Sequence, residues 1–230
     1  MRAYKIPTEE PESDGTLKWH FTVLVLVEVS AGDHTGLGYT YADKSTAVFI
    51  KEHLFPLLEG EDAMENTRLW YKMFQQIRNL GRQGIAAMAI SAVDAALWDL
   101  KARFLELPLC RLLGQKNEAL PVYASGGFTS YSPEELSEKF SEWKAEGHNR
   151  FKMKIGRNKK EDLQRLKAAR KAIGKHQLFV DANGAYIPKE ALAIAKEMQQ
   201  FDVRWFEEPV TSDDPEGMHL VKEQVAAPVE

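Results

Sequence analysis

Lys152 and Lys154 stand two residues apart in Phe151-Lys152-Met153-Lys154-Ile155-Gly156. In an extended strand that spacing puts both ammonium groups on one face and Phe151, Met153 and Ile155 on the other. If the apolar set packs under helices, the lysines point to the opposite side, where desolvating an ammonium is costly. Two neighbouring lysines in such a setting are expected to depress at least one pKa, which makes a usable base. The competing reading is an edge strand with both lysines in water, and the helical patterns on either side argue against an edge. Farther along, Leu178-Phe179-Val180 runs into Asp181-Ala182-Asn183-Gly184, and Arg204-Trp205-Phe206 runs into Glu207-Glu208-Pro209. An acid at the end of each of two adjacent parallel strands is an oxygen-donor set suited to Mg²⁺ or Mn²⁺. Taken singly, Asp181-Ala182-Asn183-Gly184 reads equally well as a turn, and Glu207-Glu208 as a solvated strand end. The lysine strand just before them favours the metal reading.

The segments that would position these residues alternate strand and helix. Short strands are expected at 120–125, 151–155, 178–181 and 203–206, with helices at 133–147, 159–173, 188–199 and 214–223. Ala226-Ala227-Pro228-Val229 opens another strand. Such βα repetition means a parallel sheet, and this much of it is about half of an eight-stranded barrel. The preceding part has a different rhythm. Residues 7–18, with Pro7, Pro11 and Ser13-Asp14-Gly15, read as a polar loop. Phe21–Val29 is a β-branched strand, and Leu37-Gly38-Tyr39-Thr40-Tyr41 pairs back on it as a hairpin. Helices are expected at 45–58, 63–80 and 85–105. In the last, Ala87, Ile90, Val93, Ala96, Leu97 and Leu100 recur at three- and four-residue steps, and its small residues imply close packing against a neighbour.

Composition narrows the function classes. The 230 residues are 44% hydrophobic with net charge −4 and no basic run, so nucleic acid is not an expected partner. No apolar stretch has membrane-spanning length, and the N-terminus lacks the apolar core of a signal peptide. The lone Cys110 reads as a small buried apolar residue, in keeping with a cytoplasmic protein. The histidines at 20, 34, 53, 148, 176 and 219 show no ligand spacing and read as surface or packing residues.

Lys152-Met153-Lys154, Val180-Asp181-Ala182-Asn183-Gly184 and Trp205-Phe206-Glu207-Glu208-Pro209, taken in order, resemble the enolase superfamily, mandelate racemase/muconate lactonizing branch. Glu207 follows Asp181 by 26 residues, matching the family's separation of its first two metal ligands. Ile90–Asp99 is similar to the signature helix of its capping region, and Gly36–Tyr41 to the second strand of its capping sheet. The resemblance implies an α+β capping domain, residues 1–115, followed by α/β structure, residues 116–230, forming a partial (β/α) TIM-like barrel. It implies Asp181 and Glu207 as ligands to Mg²⁺ (or Mn²⁺), Lys154 as general base and Lys152 as its partner on the substrate carboxylate. Asn183 is then a substrate contact, and the loop 6–18, with Trp19 and His20 beside it, covers the substrate. The implied reaction removes the proton alpha to the carboxylate of a small substrate such as a sugar acid. A sugar-acid dehydratase is the first expectation and a racemase or epimerase the second, in a homo-oligomer. A dianionic enediolate forms in such a reaction, and a Lys or His base with Mg²⁺ is a recognised pairing for it.

The family's third acidic ligand falls at the end of the strand that starts near Ala227, and its second acid/base group falls later still. Glu230 reads as a residue inside that strand, not as the ligand. The expectation is therefore a truncated or split product that pairs with another chain to complete the barrel. Two rival readings remain: a catalytically incomplete fragment or assembly partner, and an aldolase-type barrel in which Lys152 or Lys154 forms a Schiff base.

Overall fold

In the computed structural model, which describes residues 1–229, the chain divides into two compact units. One comprises residues 1–8 and 21–119. The other comprises the described residues from 120 onward together with the segment 9–20. Glu230 lies outside the described residues.

The first unit is built on a three-stranded sheet of order β1-β2-β3, with β1 Arg2–Ser13, β2 Lys18–Ala31 and β3 His34–Tyr41. β2 and β3 pair antiparallel from Leu24↔Tyr41 to Ala31↔His34. Residues 7–18 are therefore mostly strand, not loop. Pro7 and Pro11 are tolerated because β1 is the sheet edge, where a missing N–H breaks no ladder. The expected helix 45–58 is broken into α1 Lys44–Phe49, a π turn Ile50–Leu54 and a 3₁₀ turn Phe55–Leu57 that contains Pro56. α2 spans Asn66–Gln76, shorter than expected because Asp62 Oδ1 accepts from the Met64 N–H and holds residues 62–65 in a turn. α3 spans Ile85–Phe104, and Gly36 and Gly38 of β3 pack directly on it. A Cβ at Gly38 would lie 2.0 Å from the Ala92 carbonyl oxygen, and one at Gly36 2.1 Å from that of Ala96. Only Gly on the strand and Ala on the helix allow backbones to approach so closely, which explains the small residues of α3. Asp99 Oδ2 seals the contact by accepting from the Leu37 N–H at 2.8 Å. Cys110 is exposed, not buried, because it sits on the one-turn helix α4 Leu109–Leu112, which buries none of its residues.

The second unit holds a four-stranded parallel sheet of order β4-β5-β6-β7: Ala124–Ser125, Arg150–Lys154, Gln177–Asp181 and Val203–Glu207. β4 is shorter than expected, since Pro121 has no ladder donor and Leu120 and Val122 face solvent. Four helices alternate with the strands: α5 Pro133–Ala145, α6 Lys159–Ile173, α7 Pro188–Met198 and α8 Pro215–Gln224. α5 starts at a capping box in which the Glu135 N–H donates to Ser132 Oγ and the Ser132 N–H to Glu135 Oε2. Asn158 Oδ1 caps α6 by accepting from the Lys160 N–H. Phe151, Met153, Ile155, Leu178, Val180 and Phe206 are fully buried beneath these helices, against Leu136, Phe140, Leu166 and Ile194. The helix-facing side of the sheet is thus apolar throughout. Val229 continues the strand order through a parallel bridge to Phe206. No helix among the described residues is long and apolar enough to cross a membrane.

Candidate active site

Because the apolar residues of β5, β6 and β7 turn toward the helices, the alternate ones share the opposite face. The strand register places Lys154 beside Asp181, and Asp181 beside Glu207, in one row at the C-terminal ends of three adjacent strands. That is the edge at which parallel α/β folds build their sites. Lys152 stands one step back and reaches forward. Its Nζ donates to Glu207 Oε2 at 2.5 Å and to Asp181 Oδ2 at 3.3 Å. Lys154 Nζ donates to the same Asp181 Oδ2, and Asp181 Oδ1 accepts from the Asn183 N–H at 2.9 Å. Asp181 and Lys152 are buried, at 2% and 6% exposure. Lys154 and Glu207 are more open, with side chains 15% and 23% exposed.

The electrostatics differ from expectation in one respect. Burial pulls the Lys152 ammonium down, but the hydrogen bond to Glu207 and the charge of Asp181 outweigh it. Its pKa is held above the ordinary lysine value. Lysines facing only each other would be depressed; here two carboxylates interleave with them. Beneath the polar row lies an aromatic floor: the rings of Tyr123, Phe179 and Trp205 meet edge to face at 5.6 to 5.8 Å. The Lys152 ammonium lies 5.2 Å from the Tyr123 centroid and 5.7 Å from that of Trp205, within cation–π range.

Two family descriptions match the sequence: "Mandelate racemase / muconate lactonizing enzyme, N-terminal domain" over residues 8–114, and "Enolase C-terminal domain-like" over residues 135–230. The chain belongs to the mandelate racemase/muconate lactonizing enzyme family. A 3,6-anhydro-alpha-L-galactonate cycloisomerase from Streptomyces coelicolor is 36% identical over 93% of this chain and 62% of its own length. A mandelate racemase/muconate lactonizing enzyme-like protein of known structure, from Rubrobacter xylanophilus, is 48% identical with a TM-score of 0.95, over 99% of this chain and 64% of that one. The L-talarate/galactarate dehydratase from Salmonella typhimurium LT2, solved with Mg and L-lyxarohydroxamate, is 29% identical with a TM-score of 0.89, over 99% of this chain and 61% of that one. This chain therefore spans somewhat over three fifths of the length of such relatives.

In this family member the donor set suits a hard divalent cation. Asp181 and Glu207 both offer carboxylate oxygens, and both converge on a single cationic group, the Lys152 ammonium. Among the described residues no third His, Cys, Asp or Glu joins them. Asn183 takes a left-handed backbone (φ 49°) and donates through Nδ2 to Glu208 Oε2 at 3.2 Å; Glu208 is itself left-handed (φ 43°). The Asn183 side chain is thus held by protein on one side, while its Oδ1 is buried without a partner.

Sequence reading overlooked several neighbours of this row. Phe179 and Trp205 were findable, since each lies two residues before an assigned acid and so shares its face. The turn Asp14–Leu17 was not. Gly15 packs into the strand-end rim so closely that a Cβ there would lie 2.6 Å from the Ile155 carbonyl oxygen and 2.2 Å from that of Ala182. Asp14 Oδ1 closes the turn on the Thr16 and Leu17 N–H groups. The Thr129 N–H donates to the Ser13 carbonyl, and Arg157 to the Asp14 and Leu17 carbonyls. Trp19 stands edge-on to Phe128 at 5.7 Å and donates to Glu12, whereas His20 is exposed.

Proposed function

We propose that this chain carries the first part of the active site of an enzyme that removes the proton alpha to the carboxylate of a small substrate, a sugar acid first among them. The observation that supports it is the row Lys154–Asp181–Glu207 across three neighbouring strand ends, with Lys152 beneath. Lys152, whose ammonium both carboxylates hold, is placed as a fixed cation that attracts and orients the substrate carboxylate. Lys154 sits nearer the opening and is the group to receive the proton at Nζ in its neutral form. Asp181 and Glu207 would hold Mg²⁺, and Asn183 would contact the substrate beside them. A divalent cation there would supply Lewis-acid charge to the substrate carboxylate. The Mg found with the dehydratase from Salmonella, and the sugar-acid chemistry named in it and in the cycloisomerase, support this choice of cofactor and substrate class.

The test is exchange of the alpha proton in D₂O, followed by NMR over a panel of sugar acids with and without Mg²⁺. Exchange that needs Mg²⁺ and disappears in Lys154→Ala and Asp181→Asn is the expected result. Exchange that survives Lys154→Ala rules out the assignment of the base. A second reading rests on the two-carboxylate donor set: by itself the chain is catalytically incomplete and acts with a partner that supplies further ligands. It predicts weak Mg²⁺ binding by titration calorimetry and no exchange. The Schiff-base alternative needs a neutral amine, which the raised pKa opposes at Lys152 only. Borohydride trapping of a carbonyl substrate on Lys152 or Lys154 would restore it.

A further inference from the structure

Asp162 and Arg165 form a buried ion pair on α6, at 1% and 3% exposure, on the helix side of the sheet and away from the polar row. A buried ion pair is costly unless its polar atoms find partners. Here they are directed almost entirely at the backbone of two strand ends. Arg165 Nη1 donates to the Lys154 carbonyl at 2.9 Å and to Asp162 Oδ1 at 3.1 Å. Arg165 Nη2 donates to the Gly127 carbonyl at 2.7 Å and the Phe128 carbonyl at 2.6 Å. Asp162 Oδ2 accepts from the Gly156 N–H at 2.8 Å.

The need for these bonds follows from the strand pairing. β4 pairs with β5 only at Ala124↔Phe151 and Ser125↔Lys152, so its ladder stops two residues before Lys154. On the β6 side the ladder continues, with the Ile155 N–H donating to the Asp181 carbonyl. The Lys154 N–H and carbonyl both point to the side that β4 has left. The N–H donates to the Gly127 carbonyl at 3.0 Å, and Arg165 takes the carbonyl of Lys154 while also gripping that of Gly127. The guanidinium thereby stands in for the missing ladder rung, and its planar fork suits several carbonyls at once. It also sets Phe128, which meets Trp19 edge to face, and so couples the Lys154 strand end to the Asp14–Leu17 turn.

We propose that Arg165, oriented by Asp162, is a positioning residue that fixes the main chain at Lys154 and the Gly127–Thr129 segment, and through them the aim of the Lys154 side chain. The catalytic consequence rests on the proposed role of Lys154 as base; the structural one does not. The test is amide hydrogen exchange, read by mass spectrometry, on the full chain. Arg165→Lys keeps the charge but cannot span the carbonyls. The double variant D162L/R165M replaces the pair by apolar groups of similar size and guards against misfolding from a lone buried charge. Exchange over 124–131 and 150–157 is expected to accelerate about tenfold or more in both variants, while α7 and α8 keep their protection. Unchanged exchange in those segments, or an equal rise throughout the second unit, overturns the proposal. Where alpha-proton exchange of a substrate is measurable, kcat should fall on the order of a hundredfold, as for a misaimed base, with KM and Mg²⁺ affinity altered less than about threefold. A parallel loss of Mg²⁺ affinity would mark Arg165 as a general scaffold residue and refute the positioning role. Local exchange that rises as expected while Lys154→Ala leaves turnover intact would sink the base assignment and leave the strand-end role standing.

Discussion

Lys152→Met removes the cation that the Asp181 and Glu207 carboxylates share while keeping most of the side chain's apolar bulk. Asp181 retains Lys154 as a partner, but Glu207 loses the ammonium that donates to it at 2.5 Å. Removing one member of a buried pair costs about 3–5 kcal/mol, because the other charge stays behind uncompensated. The Glu207 side chain is 23% exposed, so water offsets part of this, and a cost near the lower bound, about 3 kcal/mol, is expected. For a unit of this size that corresponds to a fall in melting temperature of roughly 10 °C. The assay is thermal and urea unfolding of four proteins in metal-free buffer: the parent, Lys152→Met, Glu207→Gln and the double variant. Neutralising Glu207 in the Lys152→Met background should restore most of the loss, giving a coupling energy well above the error of the cycle. A Lys152→Met protein within about 0.5 kcal/mol of the parent, the usual span of surface substitutions, would refute the premise. So would a double variant no better than Lys152→Met alone.

Other substitutions probe the packing that supports the row. Gly15→Ala forces a Cβ against two backbone carbonyls that cannot swing away, so it should cost about 1–3 kcal/mol in urea unfolding and loosen the Asp14–Leu17 turn; an unchanged midpoint would contradict the close seating. Phe151→Ala empties a fully buried site beside Phe140, whose ring centroid lies 5.4 Å away, and should cost about 3–5 kcal/mol. A loss below about 1 kcal/mol would show that the core there is looser than the structure implies. Burial pushes the Asp94 carboxyl above its ordinary value of 3.8, so the folded state penalises the ionised form at neutral pH and not below 3.8. Asp94→Asn should therefore raise the melting temperature at pH 7, with the gain shrinking as pH falls through the folded value toward 3.8. A gain that grows on acidification would have the wrong sign.

The polar row was legible because its motifs sit where period-two alternation acts. Lys152 and Lys154 share a face with Phe179, Asp181, Trp205 and Glu207, and the opposite residues are the apolar ones that the helices bury. The helices of the second unit were equally legible: Ser132 and Asn158 are strong caps, and α6 spans the expected 159–173. The misread elements depend on context. Pro7 and Pro11 resemble loop residues unless β1 is known to be an edge strand, and Leu120 and Val122 resemble strand residues unless their exposure is known. Cys110 has apolar neighbours in sequence but none over it in space.

The sequence by itself determined the kinds of group in the row and the faces they occupy, since strand alternation and parallel βα repetition are local rules. Register and long-range approach were decided by the tertiary structure alone. Whether Lys154 stands beside Asp181, and Asp181 beside Glu207, depends on how the strands slide against one another. The charge state of Lys152 depends on which carboxylates then come within reach. The same holds for Gly15 against Ile155 and Ala182, and for Arg165 on the carbonyls of Gly127, Phe128 and Lys154. Those contacts join residues far apart in the chain, and their energies arise only once packing has excluded water from between them.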